Sequence, residues 1–311
     1  MRKETTILFS LSLQWVLLVP LQSPVASAQE LPQQLPHRLI GREFSYTAKQ
    51  GDSITSTGAR FGVEVATLAR TNGLDIGARL KLGQVLRVDN RHIVPEPSND
   101  GILINLPQRL LFYFNKVELI SHYPVGLGRP DWPTPTGRFK VLAIEENPVW
   151  DVPKSIQEEM RREGQVVKTK VPPCPENPLG RYWIGLSMAG YGIHGTIAPT
   201  SIYQFRTHGC IRLHPDDVAD LAKRLSVGAV GKIIYEPVLL ARIEGERIFL
   251  ETHRDIYRKR KDPPKSVQTL ASTHGLSHLI DWLRVEQAIG RREGVAREVT
   301  SKLASDTEDI R

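Results

Sequence analysis

Apolar positions along this chain fall into blocks of different period, and each block predicts its own kind of element. Ile7 to Leu21 is mostly apolar, with Arg2 and Lys3 before it and Ala26-Ser27-Ala28 after it. A basic start, a short apolar stretch and a small-x-small end predict a secretory signal peptide over residues 1–28, cut after Ala28. An uncleaved membrane anchor, the alternative, calls for a longer stretch without Ser10, Ser12 and Gln14. Residues 29–43, with Pro32, Pro36 and three glutamines, read as a flexible linker. A β-prone run from Tyr46 then reaches a Gly51-Asp52 turn. A helix follows from Ile54 to Phe61, capped by Asp52 or Ser53 and stopped by Gly62. Gly58 inside it is unfavourable. Val65, Leu68 and Ala69 mark a second helix that stops near Asn72-Gly73. Leu80 to Val88 closes the unit as a strand, so residues 44–89 form a small βααβ domain.

Residues 90–100 carry Pro95, Pro97, Ser98 and Asn99, a linker composition. From residue 101 the pattern is that of strands: Ile102–Leu106, Arg109–Phe114, Val117–Ile120 with a hairpin turn at Asn115-Lys116, and Tyr123–Gly128. A Pro-Thr-Pro-Thr-Gly turn at 133–137 precedes a strand at Arg138–Leu142. Residues 147–175 break the pattern, with one short charged helix over Ser155–Gly164 and proline-rich sequence after it. Such an excursion is either a lid over a cleft or an ordinary surface loop. Trp150 at its start either stacks on a ligand or packs. Val218, Leu221, Ala222 and Leu225 predict a helix from Pro215 to Leu225, with acids first, cations last and Gly228 ending it. Lys232–Tyr235 is a return strand. In 237–311, Val238–His253 reads as a hairpin turning at Glu244-Gly245. Arg254–Lys261 reads as a solvated basic face, or one that holds an anionic wall or membrane surface. Polar helices follow, with Leu276, Leu279, Ile280 and Leu283 as one apolar stripe. The fold class is α+β.

The 311 residues allow two modest domains, and 40% hydrophobic with 24% charged residues is the composition of a soluble protein. A net charge of +7 suits nucleic acid, anionic lipid or an acidic cell wall. The signal peptide selects the envelope: the expected place is the periplasm or cell envelope. The expectation is no nucleic-acid partner and no integral membrane segment after cleavage. Two cysteines, Cys174 and Cys210, travel with the exported chain. Cys174, in a proline-rich loop, is either an inert surface thiol or the partner of a reversible bridge to Cys210.

The chemistry concentrates at Thr207-His208-Gly209-Cys210-Ile211-Arg212-Leu213. His194 lies sixteen positions before the cysteine, in Gly192-Ile193-His194-Gly195-Thr196. A thiol is a nucleophile as thiolate, and an imidazole within reach takes its proton, so a cysteine with a separate histidine is a candidate acyl-transfer pair. The other reading is a buried small hydrophobe. The glycines let backbone pass close to a substrate and aim N–H groups at an oxyanion.

Asn177-Pro178-Leu179-Gly180, Tyr182-Trp183-Ile184-Gly185-Leu186, Gly190 to Thr196 and Thr207 to Leu213 together closely resemble the L,D-transpeptidase catalytic domain family, over residues 101–236. The resemblance implies a β-rich domain whose cysteine cuts and rejoins peptidoglycan stem peptides. Attack falls on the carbonyl of the third stem residue, terminal D-alanine leaves, and a thioester forms. The acceptor is a second stem peptide, giving a 3–3 cross-link, a lysine of an envelope protein, or water, which makes the enzyme an L,D-carboxypeptidase. Cys210 is then the nucleophile and His194 the base, with the Gly195 carbonyl orienting it. The N–H groups of His208, Gly209 and Cys210 are candidates for the oxyanion hole. Arg212, Tyr191 and Thr207 are candidate substrate contacts, although Arg212 facing an internal acid is the preferred role, and Tyr191 and Trp183 are equally at home in a core. No cofactor or metal is implied. Two positions depart from the family pattern: Thr207 stands where serine is usual, and Tyr203 where glycine is frequent, which puts pocket access in question.

Tyr46 to Val88 resembles the LysM module in its Tyr-Thr-x-x-x-Gly-Asp-Ser start, its Arg60-Phe61-Gly62-Val63 centre and its Leu82-Gly83-Gln84-x-Leu86 end. That implies binding of the N-acetylglucosamine-containing glycan of peptidoglycan by Gly51, Asp52, Ser53 and Ile54 and by residues near 74–77; the alternative is a packing domain that binds nothing. Two rivals to the enzyme remain. One is a metal hydrolase using His194, His208, Cys210 and His214, which lacks a recurrent ligand pair. The other is a wall-binding protein without activity.

Overall fold

The computed structural model describes residues 35–96, 100–244, 246–259 and 262–301. The signal peptide, residues 29–34 of the expected linker and residues 302–311 lie outside the described residues.

The first unit runs β1 (Leu39–Ile40), β2 (Glu43–Thr47), α1 (Ile54–Phe61), α2 (Val65–Thr71), β3 (Val85–Asp89) and β4 (His92–Ile93). Strand β2 pairs antiparallel with β3, and β1 with β4. Ser53 caps α1 through a reciprocal capping box with Ser56, and Gly62 closes it in the left-handed region. Gly58 is there for space, since a Cβ would meet the Val63 carbonyl oxygen at 2.7 Å. The final strand is shorter than the apolar alternation predicts. Gly83 turns the chain at φ +82, and the Gln84 side chain closes the turn on the Lys81 N–H, so pairing begins only at Val85. Residues 90–100 are more than a linker: His92, Ile93 and Val94 are buried, because β4 packs under the C-terminal unit.

The second unit is built on β5 (Gly101–Asn105), β6 (Leu110–Asn115), β7 (Glu118–Gly128), β8 (Gly137–Glu146), β9 (Trp150–Asp151), α3 (Lys154–Arg162), β10 (Lys170–Val171), β11 (Tyr182–Leu186), β12 (Gly192–His194), β13 (Phe205–Thr207), β14 (Ile211–Leu213), α4 (Pro215–Arg224) and β15 (Val230–Ile234). Hydrogen bonding runs β7-β14-β12-β11-β8-β15-β5-β6 and returns to β7, so eight strands close a ring, with β13 added on β7. Ile104, Leu111, Val125, Leu127, Val141, Ile184, Ile193, Ile211 and Leu213 fill its interior, and α4 adds Val218 and Leu221. The β6–β7 hairpin turns at Lys116-Val117, both at positive φ, one residue later than predicted. Helix α4 ends at Arg224; Gly228 instead sits in the following turn, bonded to Val141.

The C-terminal unit holds β16 (Val238–Ile243), β17 (Arg247–Thr252), α5 (Pro263–Thr273), α6 (Trp282–Arg291) and β18 (Arg297–Glu298). Gly245 of the predicted turn lies outside the described residues. Both faces of the β16–β17–β18 sheet are buried. One packs on α5 and α6 through Val267, Ala271, Val285 and Ala288, the other on Ile93 through Leu239, Ala241 and Phe249. The Leu276–Leu283 stripe is not a helix: Ser277–Leu279 is a 3-10 turn, Asp281 caps a new helix, and Leu283 is exposed.

Ion pairs and hydrogen bonds lock the three units together. Glu64 at the start of α2 meets buried Arg109 at 2.7 Å, and the Arg109 guanidinium lies 4.1 Å from the Tyr203 ring centroid. Thr67 and Arg70 bond Glu293, and Asp89 meets Arg297 at 2.7 Å. At the junction, fully buried Glu251 accepts from the Ile93 N–H, Gln108, His92 at 2.8 Å and His253 at 2.7 Å. Both ring nitrogens of His92 are engaged, Nδ1 with Glu251 and Nε2 with the Gly62 carbonyl at 2.9 Å, so the ring bridges the C-terminal unit and the end of α1.

Candidate active site

Strands β12 and β14 run parallel, with Ile193 opposite Ile211 and His194 opposite Arg212. Continuing that register puts Gly192 beside Cys210. Alternation then sets Cys210, His194 and Arg212 on one face of the sheet. Trp183, opposite His194 on β11, stacks on the imidazole with centroids 5.9 Å apart, and its ring crosses Gly192 so closely that a Cβ there would lie 2.2 Å from the indole. Gly192 is a glycine to let this aromatic wall stand.

His194 is buried, and its Nδ1 bonds the Gly195 carbonyl at 2.7 Å. A carbonyl only accepts, so Nδ1 carries the hydrogen and Nε2 of the neutral ring keeps its lone pair. Burial, then the Arg212 charge, push the imidazole down to about 3, outweighing the Gly195 and Leu179 carbonyls that act the other way. The Asn177-Pro178-Leu179-Gly180 run supports this ring. Asn177 is buried and bonds the carbonyl of Pro148 and the N–H of Leu179, and Gly180, at φ +66, lets the chain lie against Gly195.

Cys210 is half-buried, and its Sγ lies 3.7 Å from the Gly190 carbonyl oxygen. Burial raises the thiol; the Gly192 N–H and the Arg212 charge oppose this without overcoming it. The loop before the cysteine is fixed by side chains. Thr207 Oγ1 donates to the Cys210 carbonyl at 2.6 Å and accepts from the Gly209 N–H at 3.1 Å. Gly209 is therefore not a free oxyanion donor in this structure, which leaves the N–H groups of His208 and Cys210. Gly209 needs to be glycine for two reasons: φ is +101, and a Cβ would press on Tyr191 at 2.6 Å. Buried Thr134, from the turn after β7, donates to the Gly209 carbonyl at 2.8 Å.

Arg212 corrects the expectation of an internal acid. Among the described residues no carboxylate pairs with it; its Nη1 reaches Ser201 Oγ at 3.4 Å and its buried Nε has no partner.

The model of the L,D-transpeptidase catalytic domain family (YkuD) matches residues 99–238, and that of the LysM domain residues 46–89. Over 281 residues the chain is 31% identical to the probable L,D-transpeptidase ErfK/SrfK of Salmonella typhimurium, covering 85% of this chain and 88% of that protein. The chain belongs to the L,D-transpeptidase family. It is likewise 29% identical, over 85% of this chain and 88% of the other, to the probable L,D-transpeptidase ErfK/SrfK of Escherichia coli K12. The putative L,D-transpeptidase YkuD of Bacillus subtilis is 29% identical over 58% of this chain and 92% of its own length.

In this L,D-transpeptidase the remaining expected residues are placed as follows. His208 turns away from the metal-ligand reading and gives its Nε2 to Glu159 of α3 at 2.6 Å. Among the described residues both cysteines are free thiols, and Cys174 is exposed. Tyr203 does not reach the pocket. It sits at φ +60, which suits the glycine frequent there, and its buried ring packs against Arg109 and Gly62. Trp150 is half-buried in the two-residue pairing of β9 with β10.

The LysM loop is also corrected in part. Ile54 is fully buried in the module's core, Asp52 binds the Tyr46 hydroxyl and the Lys49 N–H, and the Ser53 hydroxyl caps α1. Ile54 is thus core, while Asp52 and Ser53 build the loop and remain partly exposed. A groove of about 540 Å³ opens beside it, lined by Leu74, Arg79, Lys81, Leu82, Gly83 and Gln84.

Sequence reasoning missed Thr134 and Tyr257. The Tyr257 hydroxyl donates to the Gly128 carbonyl at 2.6 Å and accepts from the Thr134 N–H at 3.3 Å. Tyr257, set in the basic run, thus contributes a buttress that reaches the catalytic loop through Thr134. Its one signal was an aromatic set among cations.

Proposed function

We propose that the protein is an exported L,D-transpeptidase that acts on peptidoglycan stem tetrapeptides through a thioester at Cys210. The observation that carries this reading is the His194 ring. Its Nδ1 is committed to the Gly195 carbonyl, which leaves Nε2 as a base on the face that carries Cys210.

Thiol and imidazole are both neutral at rest, so His194 takes the Cys210 proton as the sulfur attacks the carbonyl of the third stem residue. The N–H groups of Cys210 and His208 receive the oxyanion. As the C–N bond breaks, His194 returns the proton to the departing D-alanine amine. An acceptor amine then attacks the thioester and loses its proton to His194, and the thiol is restored as the new amide forms. A second stem peptide gives a 3–3 cross-link, an envelope-protein lysine gives a protein anchor, and water gives a carboxypeptidase. Arg212, without a carboxylate partner among the described residues, suits the carboxylate of a stem peptide. Tyr191 and Trp183 wall the cleft.

The LysM groove, with Arg79 and Lys81 flanked by Leu74 and Leu82, suits the glycan strand, with Gly51 and the backbone of Asp52 and Ser53 at its rim. Among the described residues no helix is long and apolar enough to cross a membrane. The basic start and Ala26-Ser27-Ala28 supply the export signal.

Intact-mass measurement after mixing the mature protein with a tetrapeptide donor tests the reading. Wild type gains the acyl mass at Cys210 and releases D-alanine. Cys210→Ala does neither and still sediments with sacculi. D-alanine release by Cys210→Ala refutes the mechanism.

A further inference from the structure

Helix α3 buries none of its side chains, yet it is docked on the catalytic loop. Its enclosing strands β9 and β10 pair over only two residues each, at the base of the excursion. The Glu159 carboxylate makes the contact farther out. Its Oε2 takes the His208 Nε2 at 2.6 Å, and its Oε1 accepts from Arg129 Nη2 at 3.1 Å. Only 16% of that side chain is exposed, on a helix that is otherwise largely exposed. Arg129 is also bound to Asp131 at 3.0 Å and lies over Trp132, whose ring meets His208 edge-on at 4.4 Å. The Arg129 N–H bonds the Thr207 carbonyl at 2.9 Å. Two separate segments of chain thus converge on one carboxylate of α3, and one of them, at His208, is two residues from Cys210.

We propose that Glu159 is a positioning residue that sets how the acyl-enzyme is divided between an amine and water. By binding the His208 and Arg129 side chains together it holds α3 against the catalytic loop. Shielded from solvent, the thioester waits for an acceptor amine, which displaces the thiolate and forms an amide. With α3 released, water adds instead; the thioester C–S bond breaks, and a carboxylic acid and the free thiol result. The inference rests on the thioester reading above and adds a residue outside the family's Cys/His motif that governs the outcome. Charge-assisted bonds of this length are strong, and among the described residues no other carboxylate of α3 bonds His208 or Arg129.

The test uses the mature full chain with a defined tetrapeptide as both donor and acceptor. Mass spectrometry measures the ratio of hydrolysed tripeptide to cross-linked dimer, and intact mass gives the rate of acyl-enzyme formation. Glu159→Ala is expected to raise the tripeptide-to-dimer ratio about tenfold while acylation changes by about twofold or less. Glu159→Asp, which keeps the charge, is expected to restore part of the wild-type ratio. Trypsin is expected to cut the variant faster after Arg161, Arg162 or Lys168. An unchanged ratio overturns the inference, whether acylation is intact or has fallen with a loss of stability. If wild type forms no adduct at Cys210, the thioester reading itself fails, and this inference fails with it; an adduct with an unchanged ratio removes the inference alone.

Discussion

Thr134 Oγ1 lies 2.8 Å from the carbonyl oxygen of Gly209, and the Gly209 carbonyl is thereby pinned to buried Thr134. In a planar trans peptide the N–H points opposite to the C=O, so this bond turns the Cys210 N–H, the oxyanion donor of the proposed function, away from Thr134. The same hydroxyl accepts from the Gly128 N–H at 3.0 Å, which ties the end of β7 to the catalytic loop.

Thr134→Val keeps the shape and removes both bonds. Acylation by a tetrapeptide is expected to slow by about tenfold to a hundredfold, less than the loss of a complete oxyanion donor. The orphaned buried groups are expected to lower stability by about 1–3 kcal/mol, read as a shift in urea midpoint. Thr134→Ser should behave as wild type; a Val variant with full activity removes the role assigned to Thr134.

His194 and Cys210 predict an unusual pH profile. The imidazole is pushed down to about 3 and the thiol is raised, so the resting pair is neutral across the physiological range rather than a thiolate–imidazolium pair. Alkylation of Cys210 by iodoacetamide should therefore climb with pH through the alkaline range, with no inflection near 6.5. The exposed Cys174 would also react, so the measurement belongs in a Cys174→Ser background. A plateau of high reactivity already at pH 6 would show a preformed ion pair and contradict this.

Arg212 is a charge held in a half-buried place without a carboxylate partner among the described residues. Arg212→Met is expected to raise KM for a tetrapeptide by about tenfold to a hundredfold, the loss of one charge-assisted contact. Stability should hold or rise slightly, since a desolvated cation is removed. A variant that loses stability while KM is unchanged would assign Arg212 to the fold.

Glu251 predicts how the assembly responds to acid. Burial alone would raise its carboxyl, but the His92 and His253 rings outweigh that and hold it at about 2. A depressed carboxyl contributes stability that is fully present above its unfolded value and lost as pH falls from there toward 2. Burial also depresses His253, so proton uptake on unfolding adds a slope of the same sign below its ordinary range. Glu251→Gln should cost about 1–3 kcal/mol at pH 7, because an amide offers one acceptor oxygen where the carboxylate offers two, and the buried donors of Ile93, Gln108, His92 and His253 cannot all be satisfied. The variant's urea midpoint should vary less between pH 7 and pH 3.5 than that of wild type. Equal slopes in the two proteins would place the acid sensitivity elsewhere.

Local signals made α1 legible in the sequence: Ser53 caps it and Gly62 stops it, and the helix runs from Ile54 to Phe61. The ordered run from Asn177 to Leu213 likewise pointed to Cys210 and His194 together, and the structure sets them on one face of the sheet; Gly180, Gly192 and Gly209 in it each answer to a close approach at their own position. The partners of that run were not legible. Thr134, Tyr257 and Glu159 act through single hydrogen bonds from distant segments, and a lone hydroxyl or carboxylate leaves no periodic trace. The 90–100 segment misled for a related reason. Its prolines mark the end of a short edge strand, while burial of His92 and Ile93 is decided by a hairpin some 150 residues later. The Leu276–Leu283 stripe has helical spacing, but Asp281 interrupts it by offering a better start to the helix that follows.

The Glu64–Arg109 pair ties the LysM module to the unit that carries Cys210, and the Glu293 contacts tie it to the C-terminal unit. On the proposed function, such an enzyme grips its polymer and joins it at one set offset, as a stapler does whose jaw and anvil share a frame. The interval between stitches in the wall would then be written into the protein's own dimensions rather than left to the length of a tether.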